Sequence, residues 1–140
     1  MKLRYVELHP WKYRTVDLYI ERTAITGYPA EAAYLVLTDQ GVLAISPGYC
    51  WDGPSGPAID TPGFIRASLV HDALYQLMRL RLIPQECKAL ADQELLRICR
   101  EDGMGAIRAR YVYWAVSMFG AAACEPGTEE ERRICEVGHG

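Results

Sequence analysis

A cluster of glycine and proline residues divides this chain into two unlike parts. Residues 47–63 contain four glycines and four prolines, which is too many breakers for a regular helix or strand. Before the cluster, the apolar residues follow the two-residue period of strands, and after it they follow the period of helices. Strands first and helices afterwards predict an α+β domain rather than alternating β–α–β units.

The part before the cluster predicts an N-terminal β-hairpin or small antiparallel sheet. Val16, Leu18 and Ile20 alternate with an acid, a tyrosine and a second acid, which is the period of a half-buried strand. Further on, YLVLTDQGVLAIS places apolar runs on both sides of Thr38–Gly41. This pattern is typical of a hairpin, with glycine where a positive φ is needed.

Three helices are predicted after the cluster. The first begins after Thr61, a good N-cap residue, with Pro62 in the first helical position. The expected bounds are about 62–82, about 84–102 and about 106–119, the last helix ending at Gly120. The first two helices are expected to form an antiparallel pair that turns near Ile83.

The third helix, IRARYVYWAVSMFG, is rich in aromatic residues. An aromatic run on a helix belongs to a protein core more often than to a ligand site. We therefore expect Trp114, Ala115 and Met118 to pack against the first two helices. Arg108 and Arg110 are expected on its solvated side.

The chain of 140 residues is long enough to form one domain with its own core. Its formal charge is −3, and the residues after Gly120 hold five acids and two bases, which leaves 13 acids and 13 bases in residues 1–120. We predict a single α+β domain over residues 1–120 and an acidic, loosely ordered tail over residues 121–140. The neutral body argues against a nucleic-acid partner, because phosphate contacts need a basic excess.

The sequence also predicts where the chain is found. We expect neither a signal peptide nor a transmembrane segment, because no apolar run is long enough. The five cysteines are widely spaced, and none forms the CxxC pair of a structural zinc site. Reduced thiols in a cytoplasm are expected, with a Cys124–Cys135 disulfide as the alternative.

The segment GYCWDGPSGPAIDTPGFIRASLVHDALY joins the glycine–proline loop to a helix that carries His71, Asp72 and Tyr75. His71 and Tyr75 are four residues apart and share a helix face. At about 1.5 Å per residue from the turn, Asp92 on the second helix lies level with Tyr75 and about one turn from His71. A carboxylate that accepts the imidazole N–H fixes the tautomer and stabilises the protonated ring, as a water-activating base requires.

Other interpretations of this segment stay open. The polar residues of the first helix could only satisfy one another and cap the loop, and Asp52 before a glycine is ordinary turn chemistry. Ser55 is a candidate nucleophile, although GPSGP lacks the strand–serine–helix elbow of serine hydrolases. A two-metal phosphohydrolase would need more histidines than the three in the chain.

The stretch from Gly48 to Gly120 resembles a phage and prophage family catalogued as domain of unknown function 1353. The likeness lies in one loop, GYCWDGPSGP, and in three helical segments, RASLVHDALY, ALADQELL and RYVYWAVSMFG, in that order. It covers about half of the chain. The resemblance implies a phage-encoded protein located in the host cytoplasm or in the virion.

The loop and first helix are also similar to those of secreted phospholipases A2, which pair a calcium loop with a helix bearing HDxCY. YCWDGPSG followed by HDALY and Asp92 matches in order and approximate spacing. The disulfide framework of those enzymes is missing, and WDG stands in place of their CGxGG. The resemblance implies that His71 activates water and that Tyr75 and Asp92 support it.

The same likeness implies calcium as a cofactor. Asp72 would hold it together with loop carbonyls between Tyr49 and Gly53, and Asp52 would be an additional ligand. Calcium would polarise an ester carbonyl and stabilise its oxyanion. The implied function is a phospholipase A2-like hydrolase acting on a lipid ester. The alternative is a non-enzymatic virion or tail-associated structural protein, whose acidic tail contacts a neighbouring subunit in an oligomer or another phage protein.

Overall fold

The structure, a computed structural model, describes residues 3–7, 13–51 and 62–125. Strands come first and helices follow, so the predicted α+β class is confirmed. The strands are β1 (Tyr5–Glu7), β2 (Tyr13–Thr15), β3 (Tyr19–Arg22), β4 (Ala30–Ala32), β5 (Leu35–Leu37), β6 (Val42–Ile45) and β7 (Cys50–Trp51). The helices are α1 (Pro62–Arg79), α2 (Lys88–Glu101) and α3 (Ala106–Phe119), with 3-10 turns over Gln85–Cys87 and Ala121–Cys124.

The strands form two antiparallel sheets. One has three strands in the order β1–β2–β7, and the other has four in the order β3–β6–β5–β4. The β5–β6 hairpin turns at Thr38–Gly41, as the sequence predicted, and Gly41 has a φ of +89°. A Cβ atom at Gly41 would lie 2.5 Å from the carbonyl oxygen of Thr23, so this turn requires glycine.

Strand β7 lies in the segment that the glycine–proline cluster predicted to be irregular. Its Trp51 side chain is fully buried, with a ring centroid 5.2 Å from that of Tyr13. The indole Nε1 donates to Ser68 Oγ of α1 at 3.1 Å. Burial of this large ring, together with antiparallel pairing to β2, fixes a strand that composition alone does not indicate.

Strand β3 is half-buried, but its buried residues are the polar ones of the alternating pattern. Tyr19 and Glu21 face the interior. Val16, Leu18 and Ile20 are all partly exposed. The two-residue period therefore predicted a strand that the structure has over Tyr19–Arg22, with Val16 and Leu18 before it, while hydrophobicity alone would select the wrong buried face.

A network of charges explains the burial of Glu21. The Tyr19 hydroxyl donates to Glu21 Oε1 at 2.6 Å, and Arg66 Nη2 donates to the same oxygen at 2.8 Å. Arg97 Nη2 lies 3.2 Å from the other carboxylate oxygen and its Nε donates to Glu94. One strand carboxylate thus joins arginines of two helices, which repays its desolvation.

Helices α1 and α2 pack against each other as the predicted antiparallel pair. Arg66, near the start of α1, bonds with Glu101 and Asp102 at the end of α2, at 3.2 Å and 2.8 Å. Helix α1 ends three residues earlier than predicted, and Arg81 beyond it has a φ of +63°. Among the described residues, no helix is long and apolar enough to span a membrane.

Helix α3 has the predicted bounds, but the expectation about its packing side was wrong. Ala109 and Val112 are buried against the core, and Val116 packs beside them. Trp114 and Met118, which we expected inside, are more than half exposed. Apolar residues occur on both sides of this helix, and the side with small and β-branched residues makes the contact with the core.

The chain forms a 3-10 turn beyond Gly120, where the tail was predicted to begin. Arg79 Nη1 donates to the carbonyl oxygen of Ala123 at 2.7 Å, and Gln85 Nε2 donates to that of Cys124 at 2.6 Å. These bonds hold the Ala121–Cys124 turn against α1 and the α1–α2 connection. Residues 126–140 of the predicted acidic tail lie outside the described residues.

The cysteines differ in part from the expectation. Cys87, Cys99 and Cys124 are buried free thiols, so the alternative of a Cys124–Cys135 disulfide is wrong. Burial raises the pKa of the Cys99 thiol to about 11, which keeps it protonated at neutral pH. Cys50 is disulfide-bonded, contrary to the expectation that all the thiols are reduced.

Replacing Glu21 with alanine should lower the free energy of unfolding by about 2 kcal/mol, because Arg66 and Arg97 lose a shared buried carboxylate. Urea unfolding followed by circular dichroism measures the change. Glu31→Ala is the matched control, since Glu31 is exposed on β4, and it should change stability by less than about 0.5 kcal/mol. Equal effects of the two substitutions would show that the network does not hold the sheet to the helices.

Candidate functional site

Side chains from α1 and α2 meet at one carboxylate oxygen. His71 Nε2 lies 2.7 Å from Asp92 Oδ1, and the Tyr75 hydroxyl donates to the same oxygen at 2.6 Å. The imidazole and phenol rings are also in contact, with centroids 4.0 Å apart. The antiparallel helix pairing predicted this meeting of three residues from sequence spacing.

Asp92 is ionised although only 2% of its side chain is exposed. Burial alone would raise the pKa of this carboxyl. Hydrogen bonds from His71, Lys88 and Tyr75 outweigh burial and hold the pKa below its ordinary value of 3.8. At neutral pH the carboxylate therefore acts only as an acceptor.

Tyr75 keeps its proton and serves as a donor. Burial and then the hydrogen bond to Asp92 raise its pKa far above the ordinary value of 10.0. A Cβ atom at Gly120 would lie 2.6 Å from the Tyr75 hydroxyl oxygen, so glycine lets the end of α3 approach this group. The phenol is thus a fixed part of the support for Asp92.

The contact with Asp92 defines the chemistry of His71. Because the carboxylate only accepts, Nε2 of the neutral ring carries the proton, and the lone pair lies on Nδ1. The His71 side chain is 12% exposed, so it is mostly enclosed but reaches the surface. The ring can accept a proton at Nδ1 while Asp92 stabilises the positive charge that results.

Lys88 is a member of the cluster that the sequence analysis missed. Its Nζ atom lies 2.7 Å from Asp92 Oδ2 and donates to the carbonyl oxygens of Val116 and Ser117 at 3.0 Å and 3.3 Å. Cations stabilise the carbonyls at a helix C-terminus. The lysine thus joins the site to α3, and its spacing of four residues from Asp92 was the available signal.

Asp72, the first predicted calcium ligand, lies apart from these contacts. Its Oδ1 atom is 4.0 Å from Arg79 Nη1, and its side chain is 28% exposed. Although adjacent in sequence to His71, it does not take part in the hydrogen bonds at Asp92. The two residues of the HD pair therefore have different neighbours: His71 contacts Asp92, and Asp72 lies near Arg79.

The predicted calcium loop is described only at its first residues. Tyr49 is buried; its hydroxyl donates to Gln76 Oε1 at 2.7 Å, and its carbonyl accepts from the Thr15 N–H at 2.9 Å. Asp52 and Gly53 lie outside the described residues. Within the described ranges, no group of three or more His, Cys, Asp or Glu side chains could hold a metal ion. Calcium coordination stays a prediction from the resemblance.

Comparison of the chain with protein-family models, with curated proteins and with solved structures found no match. The resemblance to the phage family and the likeness to phospholipases A2 therefore stay predictions. The function is inferred from the geometry around Asp92.

Asp92→Asn should lower the free energy of unfolding at pH 7 by about 2 kcal/mol, because an amide cannot balance the Lys88 charge. The folded state lowers the pKa of Asp92. Its stabilising effect is therefore complete above about pH 5, decreases below the pKa of the unfolded chain and is lost as the pH falls through the folded value.

Urea unfolding at several pH values tests the direction of this pH dependence of stability. The stability difference between wild type and Asp92→Asn should narrow as the pH falls from about 5 to about 2. Asp39→Asn, at an exposed turn position, is the control and should differ little from wild type throughout. If the difference in the free energy of unfolding between wild type and Asp92→Asn increased as the pH fell, Asp92 would not be ionised in the folded protein.

Proposed function

We propose that this chain is a phospholipase A2-like hydrolase of lipid esters in which His71 is the general base. The observation that carries the proposal is the 2.7 Å contact between His71 Nε2 and the buried Asp92 carboxylate. This contact orients the ring, places its lone pair on Nδ1 and provides an anion beside the imidazolium. A histidine that activates water needs all three.

The reaction uses water as the nucleophile. As the water oxygen forms a bond to the ester carbonyl carbon, Nδ1 of His71 takes the proton, and the ring becomes cationic beside Asp92. The tetrahedral intermediate then collapses, the bond between the carbonyl carbon and the alcohol oxygen breaks, and His71 returns the proton to the leaving oxygen. The products are a carboxylic acid and an alcohol, and the ring is neutral again.

Tyr75 and Lys88 are positioning residues in this scheme. They contact Asp92 rather than the reacting atoms, and they hold its carboxylate against His71. The likeness to phospholipases adds calcium, which would polarise the ester carbonyl and stabilise the oxyanion. Among the described residues, Asp72 is the predicted carboxylate ligand of this ion.

A non-enzymatic role as a phage virion or tail component is the second candidate. The observation that favours it is the double engagement of Asp92, which Lys88 already neutralises and Tyr75 already binds. These contacts join the helices whether or not His71 takes up a proton. In that role, replacing His71 would lower the free energy of unfolding, and there would be no hydrolytic activity to lose.

His71→Asn should lower the rate of phospholipid hydrolysis about 10²- to 10⁴-fold, which is the usual contribution of a general base. The measurement is the release of fatty acid from mixed micelles, with and without added calcium. Tyr75→Phe is the matched control, because it keeps a ring next to His71 and removes only one donor to Asp92. It should stay within about tenfold of the wild-type rate.

Circular dichroism should show the same fold for both variants and the wild type. If the wild type releases no fatty acid in either condition, the hydrolase proposal fails and the structural role is favoured. A His71→Asn variant as active as the wild type would equally exclude His71 as the base.

Calcium binding is a separate prediction. Titration calorimetry should give a binding heat for the wild type and none for Asp72→Asn, because coordination would lose its carboxylate. Asp39→Asn removes an exposed carboxylate elsewhere and should bind as the wild type does. The absence of heat in the wild type would reject the calcium-dependent form of the mechanism.

A further inference from the structure

Helix α3 presents an aligned apolar face to solvent, which we call the α3 face. It consists of Ile107, Tyr111, Trp114 and Met118, spaced four, three and four residues apart along one side of the helix. Their exposed fractions are 89%, 52%, 51% and 60%. At about 1.5 Å per residue, the face is about 16 Å long.

This face is additional to the side that packs on the core. Ala109 and Val112 are buried and attach α3 to the rest of the protein. Single exposed apolar residues are common on proteins, whereas an aligned group of large ones marks an interaction surface.

The residue types of the α3 face suit the boundary between lipid and water. Tyr111 and Trp114 combine an apolar ring with a polar group, and such side chains prefer the level of the lipid headgroups. Their ring centroids lie 6.3 Å apart, so they form one aromatic surface. Ile107 and Met118, at its two ends, are apolar side chains that can enter the acyl region.

The charges of α3 favour an anionic lipid surface over a second copy of the chain. Its 14 residues include two arginines, Arg108 and Arg110, and no acid. Pairing α3 with the same helix of a second copy would bring the arginines of both helices together with no acid of either helix to offset them. Arg110 is exposed, and anionic headgroups would attract its charge.

The C-terminal end of helix α3 is connected to the candidate site through Lys88. Lys88 binds both Asp92 and the carbonyls of Val116 and Ser117, and Ser117 directly precedes Met118. The C-terminal end of the α3 face therefore belongs to the helix end that Lys88 connects to Asp92.

We propose that this protein docks on anionic lipid surfaces through the α3 face. The proposal deepens the proposed function and rests on it for its purpose, since docking would bring the protein to a surface made of lipid esters. The docking itself needs no catalysis, so it can be measured with lipids that cannot be hydrolysed.

Sedimentation with vesicles of ether-linked phosphatidylglycerol tests the proposal, and vesicles of ether-linked phosphatidylcholine are the comparison. We expect the wild type to bind the anionic vesicles more strongly. The triple variant I107S/Y111S/M118S should lose at least about tenfold in affinity, since three apolar side chains no longer enter the lipid. Ile20→Ser with Val36→Ser removes two exposed apolar residues of β3 and β5 and should bind like the wild type.

Tryptophan fluorescence gives a second readout. Trp114 is half exposed, so its emission should shift to shorter wavelength on the anionic vesicles, whereas Trp51 is already buried. Trp114→Phe should remove the Trp114 part of this shift and keep most of the binding; the chain also contains Trp11, outside the described residues, so the difference between wild type and Trp114→Phe is the quantity to compare. The triple variant retains Trp114 and should show no shift at the same lipid concentration.

The failure of docking and the failure of catalysis are distinguishable. His71→Asn should bind vesicles like the wild type even if it hydrolyses nothing. A wild type that binds neither vesicle type overturns the docking proposal even if it cleaves dispersed esters, and equal binding of wild type and triple variant does the same. A dimer in analytical ultracentrifugation that the triple variant abolishes would assign the α3 face to a second copy and overturn the lipid proposal.

Discussion

The burial of α1 is the constraint on which the rest of the structure depends. Nearly all of its described side chains are enclosed, so each polar one needs a partner from another element. The partners come from all around the helix: Ser68 bonds with Trp51, Gln76 with Tyr49, Arg66 with Glu21, and His71 and Tyr75 with Asp92. These directional bonds fix how the sheets and α2 dock, which apolar contacts alone would leave less defined.

The candidate site is one of these hydrogen-bonded contacts between α1 and another element, and it also helps to hold the fold together. Asp92 receives donors from α1 and from its own helix, and Lys88 extends the cluster to the end of α3. The same contacts that join three helices therefore also orient His71. Stability and acid–base chemistry are coupled at this point, because any change at Asp92 alters both the packing of the pair and the partner of the imidazole.

Much of the fold follows from local patterns. The hairpin at Thr38–Gly41, the start of α1 and the bounds of α3 depend on turn residues and breakers close in sequence, and the structure has them where predicted. The meeting of His71 with Asp92 could also be predicted, because two helices joined by a short turn have a fixed rise per residue. Lys88 was missed because the carbonyls it binds belong to a third helix, which its spacing from Asp92 does not reveal.

The sequence by itself determined that strands precede helices, and it determined the helix pair and the residues that meet across it, since each depends on short-range geometry. Only the tertiary structure decided which faces are buried. The polar side of β3 is inside because Arg66 and Arg97 reach Glu21 from two helices. The aromatic side of α3 is outside because Ala109 and Val112 fit the core instead. Which face of an element is buried depends on all of its contacts with segments far away in the sequence. A local sequence pattern does not include those segments and therefore cannot predict the buried face.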